Sequence, residues 1–194
     1  MIIWKSSNCI WTLISVGCIV ETIAAIVELY NDDFQYYKKF KKIYPEDIDT
    51  WDFKECSCAS TKFINTYFNT KRFFEHLKFM PDAYNSIMLL ARKYDVYIVS
   101  HGYSPNLKLK EIWIKNNLPF GVEFIGVNLK KHSDKSCVDM SDGIFIDDKL
   151  SNIKSSNAKK NILFGKEYSW NIDNSDDKSY VRCFTWNEIL YELL

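Results

Sequence analysis

Asp147 and Asp148 are adjacent carboxylates inside the stretch Gly143-Ile144-Phe145-Ile146-Asp147-Asp148-Lys149-Leu150-Ser151-Asn152. The three residues before them are apolar and β-prone, and such a short run reads as a buried parallel strand. Ligands of open α/β sheets bind just beyond the carboxyl ends of these strands. Two carboxylates held close together repel each other, so the pair favours a hard cation such as Mg²⁺, which takes oxygen ligands. The competing reading is a surface turn with two solvated aspartates. A second candidate lies after the apolar run Val96-Tyr97-Ile98-Val99, where Ser100-His101-Gly102-Tyr103 follows. A hydroxyl and backbone N–H groups beside a glycine can hold phosphate oxygens, although a serine there is also an ordinary turn residue.

These groups need a scaffold to hold them. From residue 81 onward the spacing alternates between helix and strand. Ala83, Ile87, Leu90 and Ala91 share a helical face, 94–99 is a strand, 106–117 a helix carrying Lys110 and Trp113, and 122–127 a strand. A polar loop then leads past Lys130, Lys131 and Lys135 to the strand at 143–148, and two more short strands follow at 161–165 and 181–185. Thr185-Trp186-Asn187-Glu188 is a capping box that opens the last helix. This alternation predicts an α/β fold with a central parallel sheet and helices on both faces.

Such a sheet needs a strand before its first helix, which Ile23, Ile26, Val27, Tyr30 and Phe34 place over 21–34. The candidate is 9–16, within the uncharged run Cys9 to Val20. The same run, preceded by Lys5 and followed by Ala24-Ala25, also resembles an export signal, and Ser15-Val16-Gly17-Cys18 approximates a lipid-attachment site. It is shorter than the roughly 20 residues that span a membrane. Cleaving it would remove the middle of the sheet, so the strand reading is preferred.

Residues 35–79 carry no clear strand but many aromatics, among them Trp51, Phe53, Phe63, Tyr67, Phe68, Phe73 and Phe74. They read as a small helical cap inserted into a core made of 1–34 and 80–194. Most of these rings belong to the cap's own interior. Trp51 and Phe53 are the candidates for stacking on a flat ligand.

Composition narrows the function classes. Lys plus Arg equals Asp plus Glu at 25 each, so no global field draws in a nucleic acid polymer or an anionic membrane. The hydrophobic fraction of 47% supports a sizeable core. Six cysteines form no C-x-x-C pair and only three histidines are present, which argues against zinc and fits a reduced, cytoplasmic protein. Nothing here reads out oligomeric state, and a homodimer stays open.

Taken in order, several stretches resemble the haloacid dehalogenase superfamily of phosphatases, and within it the 5'(3')-deoxyribonucleotidase-like nucleotidases. They are Ile19 to Phe34, Pro45 to Phe53, Ile98-Val99-Ser100, Lys110-Glu111-Ile112-Trp113, Lys135, Ile144 to Asp148 with Asn152, Ser155 to Phe164 and Trp170-Asn171. The resemblance implies a Mg²⁺-dependent phosphomonoesterase that hydrolyses nucleoside monophosphates through an aspartyl-phosphate. It implies Ser100 and Lys135 as catalytic phosphate ligands, with Lys130 and Lys131 as rivals to Lys135. Asp147 and Asp148 would hold the metal, and His101, Gly102 and Lys110 would lie against the substrate.

One departure stands out. The family's first motif, D-x-D-G, aligned on Gly17 puts Ile14 at the nucleophile and Val16 at the acid/base. Neither side chain can attack phosphorus or carry a proton. The family activity with an N-terminus altered by a change of reading frame, an inactive nucleotide-binding relative, and an exported module with a cleaved N-terminus are the three expectations that follow.

Overall fold

The computed structural model describes residues 11–175 and 179–194. Six parallel strands form one sheet: β1 (Trp11–Ser15), β2 (Asp95–Gly102), β3 (Glu123–Asn128), β4 (Ile144–Asp147), β5 (Lys160–Phe164) and β6 (Val181–Cys183). Their spatial order is β3-β2-β1-β4-β5-β6. The chain builds outward from β1 in one direction through β3, then returns to its other side and builds outward again. The switch point lies between β1 and β4, where open α/β sheets leave a crevice beyond the strand ends.

β1 is therefore the interior strand that the alternation required. Residues 9 and 10 lie outside the described residues, and the strand ends at Ser15, where a 3-10 turn over Val16–Cys18 takes over. Its register pairs Ile14 with Ile98 on one side and Ile146 on the other. β2 runs further than its apolar stretch suggests. Ser100, His101 and Gly102 stay in the strand because β3 pairs with them through Gly126, Val127 and Asn128.

Successive side chains of a strand point to opposite faces, and the two faces here bury different cores. One face packs Ile14, Ile98, Ile146 and Ile162 against α1 (Thr22–Phe34), α4 (Ala83–Leu90) and α7 (Trp186–Leu193). The other packs Leu13, Val99, Phe145 and Leu163 under α6 (Leu150–Ser155) and the loop residues Val138 and Met140. Each fully buried Leu or Ile contributes about 2 kcal/mol. α5 (Ser104–Asn117) follows β2, with Pro105 in its first turn where a missing N–H costs nothing. α6 follows β4 almost directly, and Ile153 gives it an apolar anchor into the second core.

Between α1 and α4 lie a 3-10 turn at Pro45–Asp47 and two short helices, α2 (Thr61–Tyr67) and α3 (Lys71–His76), each capped by a hydroxyl: Ser60 accepts from Phe63 N–H and Thr70 from Phe73 N–H. The segment returns beside the turn after β1: Phe79 bridges to Val20, Met80 N–H donates to Ile19 C=O and Glu21 N–H to Lys78 C=O. From the far end of the chain, buried Trp186 Nε1–H donates to Cys18 C=O at 2.9 Å, pinning the same turn. No helix among the described residues is long and apolar enough to cross a membrane.

Candidate active site

A cavity of about 720 Å³ opens at the carboxyl edge of the sheet, a size typical of small-ligand sites. Its floor includes Ser15 from the end of β1, Ser100 and His101 from β2, Lys110 from α5, Lys135 from the loop before β4, and Asp147 and Asp148 from the end of β4. The rim holds Glu46 and Trp51 from the segment 35–79, and Tyr168 and Trp170 from the loop after β5, while Phe68 and the buried Phe73 also line the cavity.

Asp147 is fully buried and its oxygens are already engaged. Oδ1 accepts from Lys149 N–H at 2.8 Å and from Asn152 Nδ2 at 3.0 Å, while Oδ2 accepts from Lys135 Nζ at 2.5 Å and from Asn152 Nδ2 at 3.1 Å. It acts as the anchor of the buried Lys135 ammonium. Asp148 differs: its carboxylate lines the cavity and has no side-chain partner among the described residues. Burial, then the neighbouring Asp147, push its carboxyl up to about 6. The charges of Lys135 and Lys149 oppose that rise from a distance, but no ion pair at contact distance is made among the described residues. A desolvated carboxylate of this kind is a donor that a divalent metal could complete, so Asp148 could hold Mg²⁺, while Asp147 already holds Lys135. Asp148 lies so close to the turn after β1 that a Cβ on Gly17 would stand 2.5 Å from its Oδ1. A larger residue at position 17 would have to displace that carboxylate.

Two serine–lysine pairs face the cavity. Lys135 Nζ donates to Ser15 Oγ at 2.8 Å, and Lys110 Nζ donates to Ser100 Oγ at 2.7 Å. Lys110 is half-buried as a residue and makes no ion pair among the described residues. Burial, then the charge of Lys135, lower its pKa to about 8. The rivals Lys130 and Lys131 are exposed and stand away from the cavity.

Other predicted residues fall on both sides of the boundary. His101 lines the cavity, with Nε2 2.8 Å from His132 C=O. Gly102 is buried under Asn106, where a Cβ would stand 2.6 Å from Oδ1, and does not line the cavity. Trp51 does line it, whereas Phe53 is 1% exposed and packs in the core. Trp51 stands 5.1 Å from Trp170, whose ring is stacked on Tyr168 at 4.2 Å.

The end of β1 is where sequence alignment and geometry part. Ile14 is fully buried in the core on the opposite face, between Ile98 and Ile146. Ser15 is the residue whose side chain meets Lys135. The available signal was the alternation itself, which sends neighbouring residues of a strand to opposite faces. Asn152, which donates to both Asp147 oxygens, was also without a role in the sequence reading.

Comparison with known proteins agrees with this architecture. The family model described as "5' nucleotidase, deoxy (Pyrimidine), cytosolic type C protein" matches residues 13–194. A 5'(3')-deoxyribonucleotidase from Clostridium acetobutylicum is 28% identical over 166 residues, covering 80% of this chain and 84% of that protein. A haloacid dehalogenase-like family hydrolase from Streptococcus pneumoniae superposes with a TM-score of 0.62 at 12% identity, covering 96% of this chain and 99% of that one. The HAD-hydrolase YfnB from Bacillus subtilis, in a magnesium-bound structure, gives 0.55 at 15% identity, covering 96% and 99%. With a match across nearly all of its length, and a parallel sheet whose carboxyl edge gathers these acids and lysines, the chain belongs to this 5'-nucleotidase family of phosphatases, on the haloacid dehalogenase fold.

Proposed function

We propose that the chain binds and dephosphorylates nucleoside monophosphates, with Mg²⁺ as cofactor, at the cavity beyond β1, β2 and β4. The observation that carries this reading is the Lys110 ammonium. Its hydrogen bonds go to the neutral oxygens of Ser100 and of His101 C=O, and it sits near a second buried ammonium at Lys135. A buried cation without a carboxylate is costly, and a phosphate dianion would relieve it. Lys110, Ser100 and Lys135 would hold the phosphoryl oxygens, with Asp147 and Asn152 fixing Lys135. Asp148 would carry Mg²⁺, which uses one or two protein carboxylates together with substrate phosphate oxygens and waters. Bound there, the metal would neutralise developing charge on the phosphoryl group.

The aromatic rim of Trp51, Tyr168 and Trp170 suits the flat face of a base. The family's description points to deoxyribonucleotides of pyrimidines. β1 carries no carboxylate at its end, so an aspartyl-phosphate cannot form at Ile14 or Val16. Turnover is therefore expected several orders of magnitude below that of a site with a carboxylate nucleophile.

The test is phosphate release from a panel of deoxynucleoside monophosphates, with and without Mg²⁺, beside equilibrium binding of the same nucleotides. Slow, Mg²⁺-dependent release that disappears in Asp148→Asn supports the proposal. The missing carboxylate also favours a second reading, nucleotide binding without turnover, for which the nucleotides bind and release no phosphate. Absence of nucleotide binding overturns both.

A further inference from the structure

We propose that Ser15 is the residue of β1 that meets the phosphoryl group, donating its hydroxyl proton to a phosphate oxygen from a position set by Lys135. The inference rests on reading the cavity as a phosphate site, and adds a ligand that the family pattern does not contain.

Ser15 is the last residue of β1 and lines the cavity. The residue is 6% exposed, so its hydrogen bonds cannot be left to bulk water without cost. An ammonium group has donors and no acceptor. In the 2.8 Å contact with Lys135 Nζ, Ser15 Oγ must therefore accept, and its own proton remains to be placed. No described residue accepts it. The nearby carboxylate of Asp147 is occupied by Lys135, Asn152 and Lys149 N–H. What remains is an acceptor entering through the cavity.

Ser100 repeats the arrangement. It accepts from Lys110 at 2.7 Å, is 4% exposed, and has no described acceptor for its proton. Ser15 shares its sheet face with Leu13 and Phe145, whereas Ser100 shares the other face with Ile98. Both pairs reach the same cavity only because it lies past the edge of the sheet. Two hydroxyl donors and two ammonium groups thus converge from opposite faces, a donor set that matches a tetrahedral oxyanion.

The same geometry assigns the place where a carboxylate would act. At position 15 it would stand beside Lys135. At position 14, the place given by alignment on Gly17, it would be forced between Ile98 and Ile146.

The experiment is calorimetric titration of the full chain with inorganic phosphate, comparing the wild-type sequence, Ser15→Ala and Ser15→Thr. Ser15→Ala is expected to weaken phosphate binding about tenfold or more, the effect of removing a hydrogen bond to a charged group. Ser15→Thr keeps the hydroxyl and should stay within about threefold of wild type. Equal affinity in the wild type and Ser15→Ala, or no phosphate binding by the wild type, overturns the proposal. A second arm holds if Ser15→Ala fails to fold: Ser15→Asp is expected to raise phosphate release from a deoxynucleoside monophosphate at least tenfold over the wild type. Folded Ser15→Asp with no rise overturns the assignment. Phosphate binding that depends on Ser15 without nucleotide binding would reject the nucleotidase reading and keep this one. Nucleotide binding indifferent to Ser15 would do the opposite.

Discussion

Ser15 and Lys135 lie 120 residues apart in the chain and are joined by a 2.8 Å hydrogen bond. The lysine in turn pairs with Asp147, so one buried ammonium ties the end of β1 to the end of β4 across the switch point of the sheet. Lys135→Met removes the cation and leaves the Asp147 carboxylate buried with only N–H partners. Breaking a buried pair in this way costs about 3 kcal/mol. Urea unfolding should show a lower midpoint with an unchanged slope, and phosphate binding should be lost.

Lys110 supplies a pH dependence. Its folded-state pKa, about 8, lies below its ordinary 10.5, mainly because of burial. The cost to stability is present in full below about 8 and fades as pH rises toward 10.5, because the unfolded chain there binds the extra proton. Phosphate affinity has the opposite trend, falling above about pH 8 as the ammonium loses its charge. Calorimetry from pH 7 to 10 should show that fall, and Lys110→Met should flatten it while raising the melting temperature at pH 7.

Asp148 lines the cavity and makes no side-chain ion pair among the described residues. Its folded-state pKa of about 6 lies above the ordinary 3.8, so its contribution to stability is lost as pH rises from about 4 through 6. Asp148→Asn should raise the melting temperature of the metal-free protein at pH 7 by a few degrees, about 1 kcal/mol. The same substitution should abolish the upward shift that Mg²⁺ produces in the wild type. Thermal melts with and without Mg²⁺ check both.

Trp170 joins Trp51 and Tyr168 at the mouth of the cavity. Trp170→Ala should weaken binding of a deoxypyrimidine monophosphate about tenfold, the scale of one lost base stack. Inorganic phosphate should bind as before, since the ring stands at the rim. Parallel titrations of the two ligands separate the effects.

Ile14 is packed in the core on the face away from Lys135. Ile14→Asp should cost at least about 4 kcal/mol through an unpaired buried carboxylate. Loss of cooperative thermal unfolding, or recovery of the protein only in aggregated form, is the expected outcome.

The sequence by itself determined the layers. Periodicity at Ile23, Ile26 and Tyr30 marked α1, and the apolar run Ile144-Phe145-Ile146 marked a buried strand, because side-chain spacing is a local property of helix and strand. The same spacing placed Asp147 and Asp148 at a strand end, and so at the edge where ligands bind, but it stopped β2 short of Ser100, which pairing with β3 keeps inside the strand. Residue type also removed the aspartyl-phosphate from Ile14 and Val16. Tertiary structure decided what each of these groups does. Asp147 and Asp148 are indistinguishable as neighbours in sequence, and only packing gives one to Lys135 and Asn152 and leaves the other lining the cavity. Trp51 and Phe53 are two residues apart, yet one reaches the cavity and the other the core. Ser15 became a site residue only when β1 was paired on both sides. Pairing sets which face each side chain takes, and a loop from far along the chain then brings Lys135 to that face.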